Sequence, residues 1–280
     1  MKTAEYYDNS NYADDELLRG TGVIGLISGD HLHPPMVDDP ELWKHSQRWR
    51  DGAAQSVRRL VERAGIAPGT TVLDVGCGVG GTVRLLQREF AVRALGLNIS
   101  ETQIATARKL GPGAYVKGSI TAIPIRANCL DAVTSINMFY HIADHATALG
   151  EMFRVLRPRG ALAFDDWMLT ENASDADQRE LNTHWNPEPV RWIRDVELMD
   201  LLNQTGFAVE DITDLTGIGR GVMHEHFADT FEREVRPLIE SADPRYGTAV
   251  ADHFKAAVEH TIRMYREERM RYLQIVARKP

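Results

Sequence analysis

The chain holds 280 residues with 43% hydrophobic and 26% charged content, which excludes a disordered polymer and allows a sizeable buried core. Its net charge of −8, from 32 Lys and Arg against 40 Asp and Glu, comes without a basic stripe and argues against a nucleic-acid partner. Two cysteines are too few for a disulfide framework, and there is neither an apolar signal core behind Met1 nor a run long enough to span a bilayer. A soluble cytoplasmic protein with no membrane span is therefore expected.

In chain order, residues 1–51 mix Tyr, Asp, Gly and Pro with short apolar pieces and predict an N-terminal arm or lid with short helices. Residues 52–280 then read as one core. From Gly52 to Ala64, Ala53, Val57, Leu60 and Val61 recur at helical spacing. A β-branched run from Thr71 to Val75 breaks into a glycine cluster and then a helical pattern. Strands are predicted over Arg93–Leu97, Ala114–Gly118, Leu130–Ile136 and Ala161–Phe164, with helices over Glu101–Leu110 and Ala146–Leu156 and a turn at Arg157–Gly160. This alternation means a mostly parallel sheet with ligands collecting at the carboxyl ends of its strands. Beyond Trp167 a polar insertion over 170–189 precedes a helix over Val190–Thr205 and a strand over Phe207–Ile212. A long helical stretch, roughly 224–268, leads to a final strand over Tyr272–Lys279. Cap insertions are expected near 168–190 and 216–268.

The sharpest motif is Asp74-Val75-Gly76-Cys77-Gly78-Val79-Gly80-Gly81. Its glycines permit positive φ and close approach of backbone to a ligand, and the helix that follows turns its free N–H groups toward bound polar groups. Gly76, Gly78 and Gly81 also fit a dinucleotide fingerprint. With Asp74 just before the first glycine, the segment resembles motif I of class I S-adenosylmethionine-dependent methyltransferases. Further motifs follow in that family's order over roughly residues 52–279.

The resemblance implies an α/β, Rossmann-like class I methyltransferase fold: a mostly parallel seven-stranded sheet with helices on both faces, an N-terminal helical arm and helical cap insertions. It implies S-adenosylmethionine as cofactor, with S-adenosylhomocysteine as product, held by Asp74, Gly76, Cys77, Gly78 and Gly80. Asn98 stands where relatives carry an acid for the ribose, and Ile99, Ser100 and Gln103 complete that group; Asn98 could instead cap the helix that starts at Glu101. Ser119 replaces the usual Asp near adenine, with Ile120 beside it, and Asn137 follows the strand over Leu130–Ile136.

The run Asn137-Met138-Phe139-Tyr140-His141-Ile142 is similar to the family's post-strand motif and supplies Phe139 as a substrate contact and Tyr140 and His141 as catalytic candidates. Asp165-Asp166-Trp167-Met168-Leu169-Thr170-Glu171 looks like a segment of sterol C-methyltransferases. Methylation of an alkene leaves a cation that needs aromatic faces or a carboxylate and then a base, which makes Trp167 a substrate contact and Glu171 a catalytic candidate; a solvated cap is the other reading of Glu171. The Tyr-rich start, with Tyr7 and Tyr12 as substrate contacts, and Ser28–His33 resemble the arms of tocopherol-type enzymes, although Pro34-Pro35-Met36 departs from their pattern. His31 and His33, at alternate positions, have no matching carboxylate cluster, and His224 with His226 lacks HExxH spacing, so no metal is expected.

The best match is to sterol, tocopherol, prenyl and terpenoid C-methyltransferases, those of teleocidin-like indole terpenoid pathways included. The implied function is carbon methylation of an apolar prenyl or terpenoid alkene in specialised metabolism, by a homo-oligomer. An N- or O-methyltransferase of small molecules, and a non-catalytic regulator that binds S-adenosylmethionine or a dinucleotide, are the alternatives.

Overall fold

The computed structural model describes residues 25–186, 189–242, 245 and 247–280. Tyr7, Tyr12 and the first half of the expected arm lie outside the described residues. A short helix α1 (Pro40–Trp43) starts at the cap Asp39, whose carboxylate accepts from the Glu41 and Leu42 amides, and a 3-10 turn leads into α2 (Trp49–Arg63). Then come β1 (Thr71–Val75), α3 (Gly81–Phe90), β2 (Arg93–Asn98), α4 (Glu101–Leu110), β3 (Ala114–Lys117), β4 (Leu130–Ile136), α5 (His145–Val155) and β5 (Leu156–Leu169). The cap and sheet edge follow as α6 (Asp175–Trp185), α7 (Asp195–Thr205), β6 (Ala208–Asp214), α8 (Thr216–Ile218), α9 (His224–Thr230), α10 (Arg236–Ala242), α11 (Gly247–Arg266) and β7 (Met270–Arg278).

The seven strands run in the order β3-β2-β1-β4-β5-β7-β6, with β7 antiparallel to both its neighbours and β1 to β5 parallel. The chain reverses its direction of travel across the sheet between β1 and β4, and this places the crevice for a ligand at the carboxyl ends of those strands. Strand periodicity sorts the core into two layers. Val72, Ala94, Ala132, Ala163 and Val276 pack under α2, α3 and α4, whereas Leu73, Val75, Val133, Phe164 and Ile275 pack under α5 and α7. A third cluster gathers Trp43, Trp49, Tyr140, Trp167, Trp192, Phe227 and Phe231 with α11 above the strand ends.

Several local expectations are corrected. Residues 190–194 are not helical: Arg194 forms a bridge with Leu169, and α7 starts at Asp195. The polar insertion contains α6, begun by a capping box in which Ser174 and Asp177 satisfy each other's backbone amides. The expected turn at Arg157–Gly160 is a bulge inside a longer β5; Arg159 takes φ 67°, and the pairing jumps from Leu130–Leu156 to Ala132–Ala161. The long helix expected over 224–268 is divided into α9, α10 and α11, with one π turn at Gly219–Met223 just before it and a second inside it at Phe231–Val235. Pro237 cannot donate to the carbonyl one turn back, and the second π turn lies immediately upstream of it.

Candidate active site

At the end of β1 the chain turns through Gly76 (φ 72°), Gly78 (φ 51°) and Gly80 (φ 85°), the last being the N-cap of α3. The amides of Gly76 and Cys77 donate to the Leu97 carbonyl at 2.9 and 3.0 Å, which ties the turn to the end of β2. Two neighbours close over it. A Cβ at Gly76 would lie 2.3 Å from Met138 Cγ, and one at Gly78 would lie 2.9 Å from Leu32 Cδ1. A Cβ at Gly81 would meet the backbone oxygen of Asp30 at 2.2 Å, so the arm rests on the start of α3. Asp30 is held there by Arg84 at 2.8 Å and Arg50 at 3.1 Å, and Arg84 also donates to the Val79 carbonyl at 2.9 Å.

Asp74 lies buried beneath the turn and accepts the Thr134 hydroxyl at 2.8 Å. Desolvation pushes its carboxyl up to about 7, the Thr134 bond opposing this and the neighbouring Asp165 adding to it. Burial likewise raises Asp165 to about 6 even though Gln274 and Tyr272 donate to it, and holds Asp166 well above the carboxylate range despite the amides of Trp167 and Phe139. Cys77 is buried with its thiol pushed up for the same reason.

Asn98, Ser100 and Gln103 come together by bonding one another. Asn98 Nδ2 donates to Gln103 Oε1 at 2.7 Å and to the Gly78 carbonyl at 3.2 Å, and Asn98 Oδ1 accepts from the Ser100 amide at 3.3 Å. The cap of α4 is Ser100, which accepts from the Gln103 amide at 3.1 Å; Asn98 is not the cap residue. Ile99 is 38% exposed beside them. Ser119 Oγ pairs with Thr121 Oγ1 at 2.8 Å, and Ile120 packs against the core under α5 and α7.

A cavity opens next to the glycine turn. It comprises about 550 Å³ of open space with its mouth included. Among the described residues its wall carries no Asp, Glu, Lys or Arg, and it includes four of the chain's five tryptophans: Trp43, Trp49, Trp167 and Trp185. The fifth, Trp192, lies 6.2 Å from Trp167 and 5.2 Å from Tyr140, centroid to centroid. Trp167 donates from Nε1 to Tyr265 Oη at 2.5 Å, which fixes its ring against Trp185 at 5.0 Å. Three of the lining residues each have a buried side-chain polar atom without a hydrogen-bond partner: Trp49 Nε1, Asn137 Oδ1 and His33 Nε2. His33 Nδ1 lies 3.2 Å from the Pro34 carbonyl, which can only accept, so the ring proton sits there and Nε2 keeps its lone pair. Burial lowers the His33 pKa to about 3, so the ring is neutral.

The other candidates divide. Asn137 takes φ 50° and lines the cavity. Tyr140 is buried 4.9 Å from Trp167, and His141, its pKa lowered to about 4 by burial, donates to Asn186 Oδ1 at 2.8 Å. Phe139, expected at the substrate, is fully buried in the core between Phe164 at 4.7 Å and His145 at 6.1 Å. Glu171, expected as a catalytic carboxylate, is exposed on the turn after β5 and is not part of the cavity wall; the chain has passed the strand end by then and points the residue to solvent. The sequence reading missed His33, Trp49, Trp185, Phe227 and Phe254. The concentration of tryptophans outside the strands was the available signal.

The strand order with β7 antiparallel is the fold that class I methyltransferases share, and residues 73–164 match a family described as "Methyltransferase domain". The chain is 38% identical over 148 residues to a sterol 24-C-methyltransferase of Eremothecium gossypii, covering 50% of this chain and 37% of the relative. It is 29% identical to a 2-methyl-6-phytyl-1,4-hydroquinone methyltransferase of Synechocystis over 74% of this chain and 64% of that one. It thus spans less than two thirds of either relative. A geranyl diphosphate C-methyltransferase of Streptomyces coelicolor, solved with Mg²⁺, geranyl-S-thiolodiphosphate and S-adenosylhomocysteine, shares the fold at TM-score 0.72 and 18% identity, covering 99% of this chain and 96% of that one. Among the described residues no helix is long and apolar enough to cross a membrane.

Proposed function

We propose that this protein is an S-adenosylmethionine-dependent methyltransferase that methylates a carbon of an apolar prenyl or terpenoid molecule. One observation carries the reading: the glycine turn and the aromatic cavity share a wall through consecutive residues. Leu32 approaches Gly78 while His33 lines the cavity, and Met138 approaches Gly76 while Asn137 lines it. The cradle fits the cofactor, because its three positive-φ glycines leave room only while they lack Cβ and its acid lies beneath them. Gly76, Gly78, Gly80, Asp74 and the Asn98, Ser100 and Gln103 group would hold it, with Ile99, Ser119 and Ile120 toward the adenine side. When bound, the cofactor supplies an electrophilic methyl on a sulfonium.

The chain's own residues do the rest. The aromatic wall excludes water and orients an apolar acceptor, the main contribution a protein makes to an in-line displacement. The faces of Trp167, Trp49 and Trp185 stabilise positive charge that develops on an alkene carbon. His33, a wall residue whose Nε2 has no hydrogen-bond partner, would take the proton released from the methylated carbon once side-chain movement brings Nε2 to it. Among the described residues the wall offers no cation to pair with a diphosphate, which a buried anion needs. Free Cys77 and Cys129 support a reducing cytoplasmic location.

The test has two halves. Calorimetric titration is expected to show binding of S-adenosylmethionine and its demethylated product but not of NAD; the reverse order of affinity refutes the cofactor assignment. Incubation with methyl-labelled cofactor and prenylated aromatic acceptors is expected to carry label into an organic extract, and cofactor binding without any transfer would support a sensor instead.

A further inference from the structure

The cap contains a second cluster, away from the glycine turn. Glu180 and His184 lie one turn apart on α6, and His260 lies on the facing α11. One ligating atom from each lies within 4.8 Å of the other two. His260 is 2% exposed with Nε2 lacking a partner, and His184 Nδ1 is likewise buried and unpartnered.

The hydrogen bonding of this cluster is in conflict as it stands. His260 Nδ1 lies 2.8 Å from Glu180 Oε1, an acceptor, and also close to the Arg263 guanidinium, a donor that reaches the same Glu180 oxygen at 3.1 Å. One ring nitrogen cannot present a proton to the carboxylate and a lone pair to the guanidinium at once. A cation between them resolves the conflict, because carboxylate and imidazole lone pair would both point at it. Arg263 serves that purpose imperfectly, and at 52% side-chain exposure it can swing into solvent.

We propose that Glu180, His184 and His260 form a site for a divalent transition metal, zinc being the ion best suited to two imidazoles and one carboxylate, with water as the fourth ligand. The two helices would need to draw their ligands to about 2.0–2.2 Å from the ion, a closure within reach of side-chain rotation. The consequence falls on the neighbouring cavity. Trp185 follows His184 and Thr261 follows His260; both line the cavity, and Trp185 Nε1 donates to Thr261 Oγ1 at 3.2 Å. An ion at this point ties α6 to α11 one residue from that bond and fixes the cap over the cavity. The inference is independent of the methyl-transfer reading.

The experiment is a zinc titration of the chelator-treated full chain, followed by calorimetry and by thermal unfolding. One ion per chain with a dissociation constant below ~10 µM and a rise of several degrees in Tm is expected. His184→Ala, at a half-buried position, should weaken binding at least tenfold and remove the thermal shift while S-adenosylmethionine binding persists. Arg263→Ala should bind zinc more tightly than the parent, because the competing cation is gone. No saturable binding in either the parent or Arg263→Ala overturns the proposal, as does binding that His184→Ala leaves unchanged.

Discussion

At the scale of single residues, the backbone conformation of the glycine turn leads to the most direct prediction. A β-branched side chain in the left-handed region costs about 1–3 kcal/mol, and at Gly78 it would also meet Leu32. Gly78→Val is expected to weaken S-adenosylmethionine binding by roughly tenfold to a hundredfold in calorimetry, with the fold retained; parent-like affinity in a folded variant removes the cofactor from this turn. The buried histidines set a second expectation. His31 and His141 are lowered to about 4 and His33 to about 3, chiefly by burial. Because these folded pKa values are depressed, the stability they contribute is present above about 6.5 and is lost as pH falls toward 3 to 4. Asp74 and Asp165 run the other way, since their raised values cost stability as pH climbs through about 7 and 6. His33→Gln should therefore make the loss of stability between pH 6.5 and 3 shallower in denaturant titrations, and an unchanged slope would show that His33 ionises freely. Residue identity was legible where backbone geometry dictated it, as at Gly76, Gly78 and Gly80. It was less so at Asn98, whose side chain closes a loop with Gln103, and at Glu171, where one turn of chain separates a buried strand end from solvent.

At the scale of elements, the arm and the cap decide what the sheet can do. The arm segment is latched where Asp30 meets Arg84 and Arg50, and the Arg84 side chain is only 11% exposed. Asp30→Ala leaves Arg84 partly buried with one partner fewer, so amide exchange over residues 27–36 should quicken on the order of tenfold and cofactor affinity should fall. Unchanged exchange in this segment would mean that the arm is held by its apolar contacts, Ile27, Met36 and Val37, instead of by the latch. The parallel strands and their helices could be read from periodicity, because two-sided burial leaves a strong pattern in β1, β4 and β5. The cap could not. Its helices are divided by π turns and its wall is assembled from the arm, β5, α6, α9 and α11, so its residues meet only in the folded chain. The partners Glu180, His184 and His260 illustrate this: the first two are one helical turn apart, but the third lies on another helix.

At the scale of the whole molecule, a seven-stranded sheet with its glycine turn at the β1 end carries a tryptophan-walled cavity on its rim, uncharged among the described residues, and the two share their wall at Leu32–His33 and Asn137–Met138. That juxtaposition is the reason for expecting the methyl group to pass to a carbon of an apolar acceptor. An oxygen or nitrogen acceptor would bring a polar group to a wall that is, among the described residues, mostly aromatic and aliphatic. The most direct measurement is carbon-13 NMR of the product formed from methyl-carbon-13-labelled S-adenosylmethionine and a prenylated or terpenoid acceptor. The enriched methyl is predicted to show one-bond coupling to a substrate carbon once that position is also labelled. Enrichment on oxygen or nitrogen, or none in any apolar acceptor while the cofactor binds, would contradict the account.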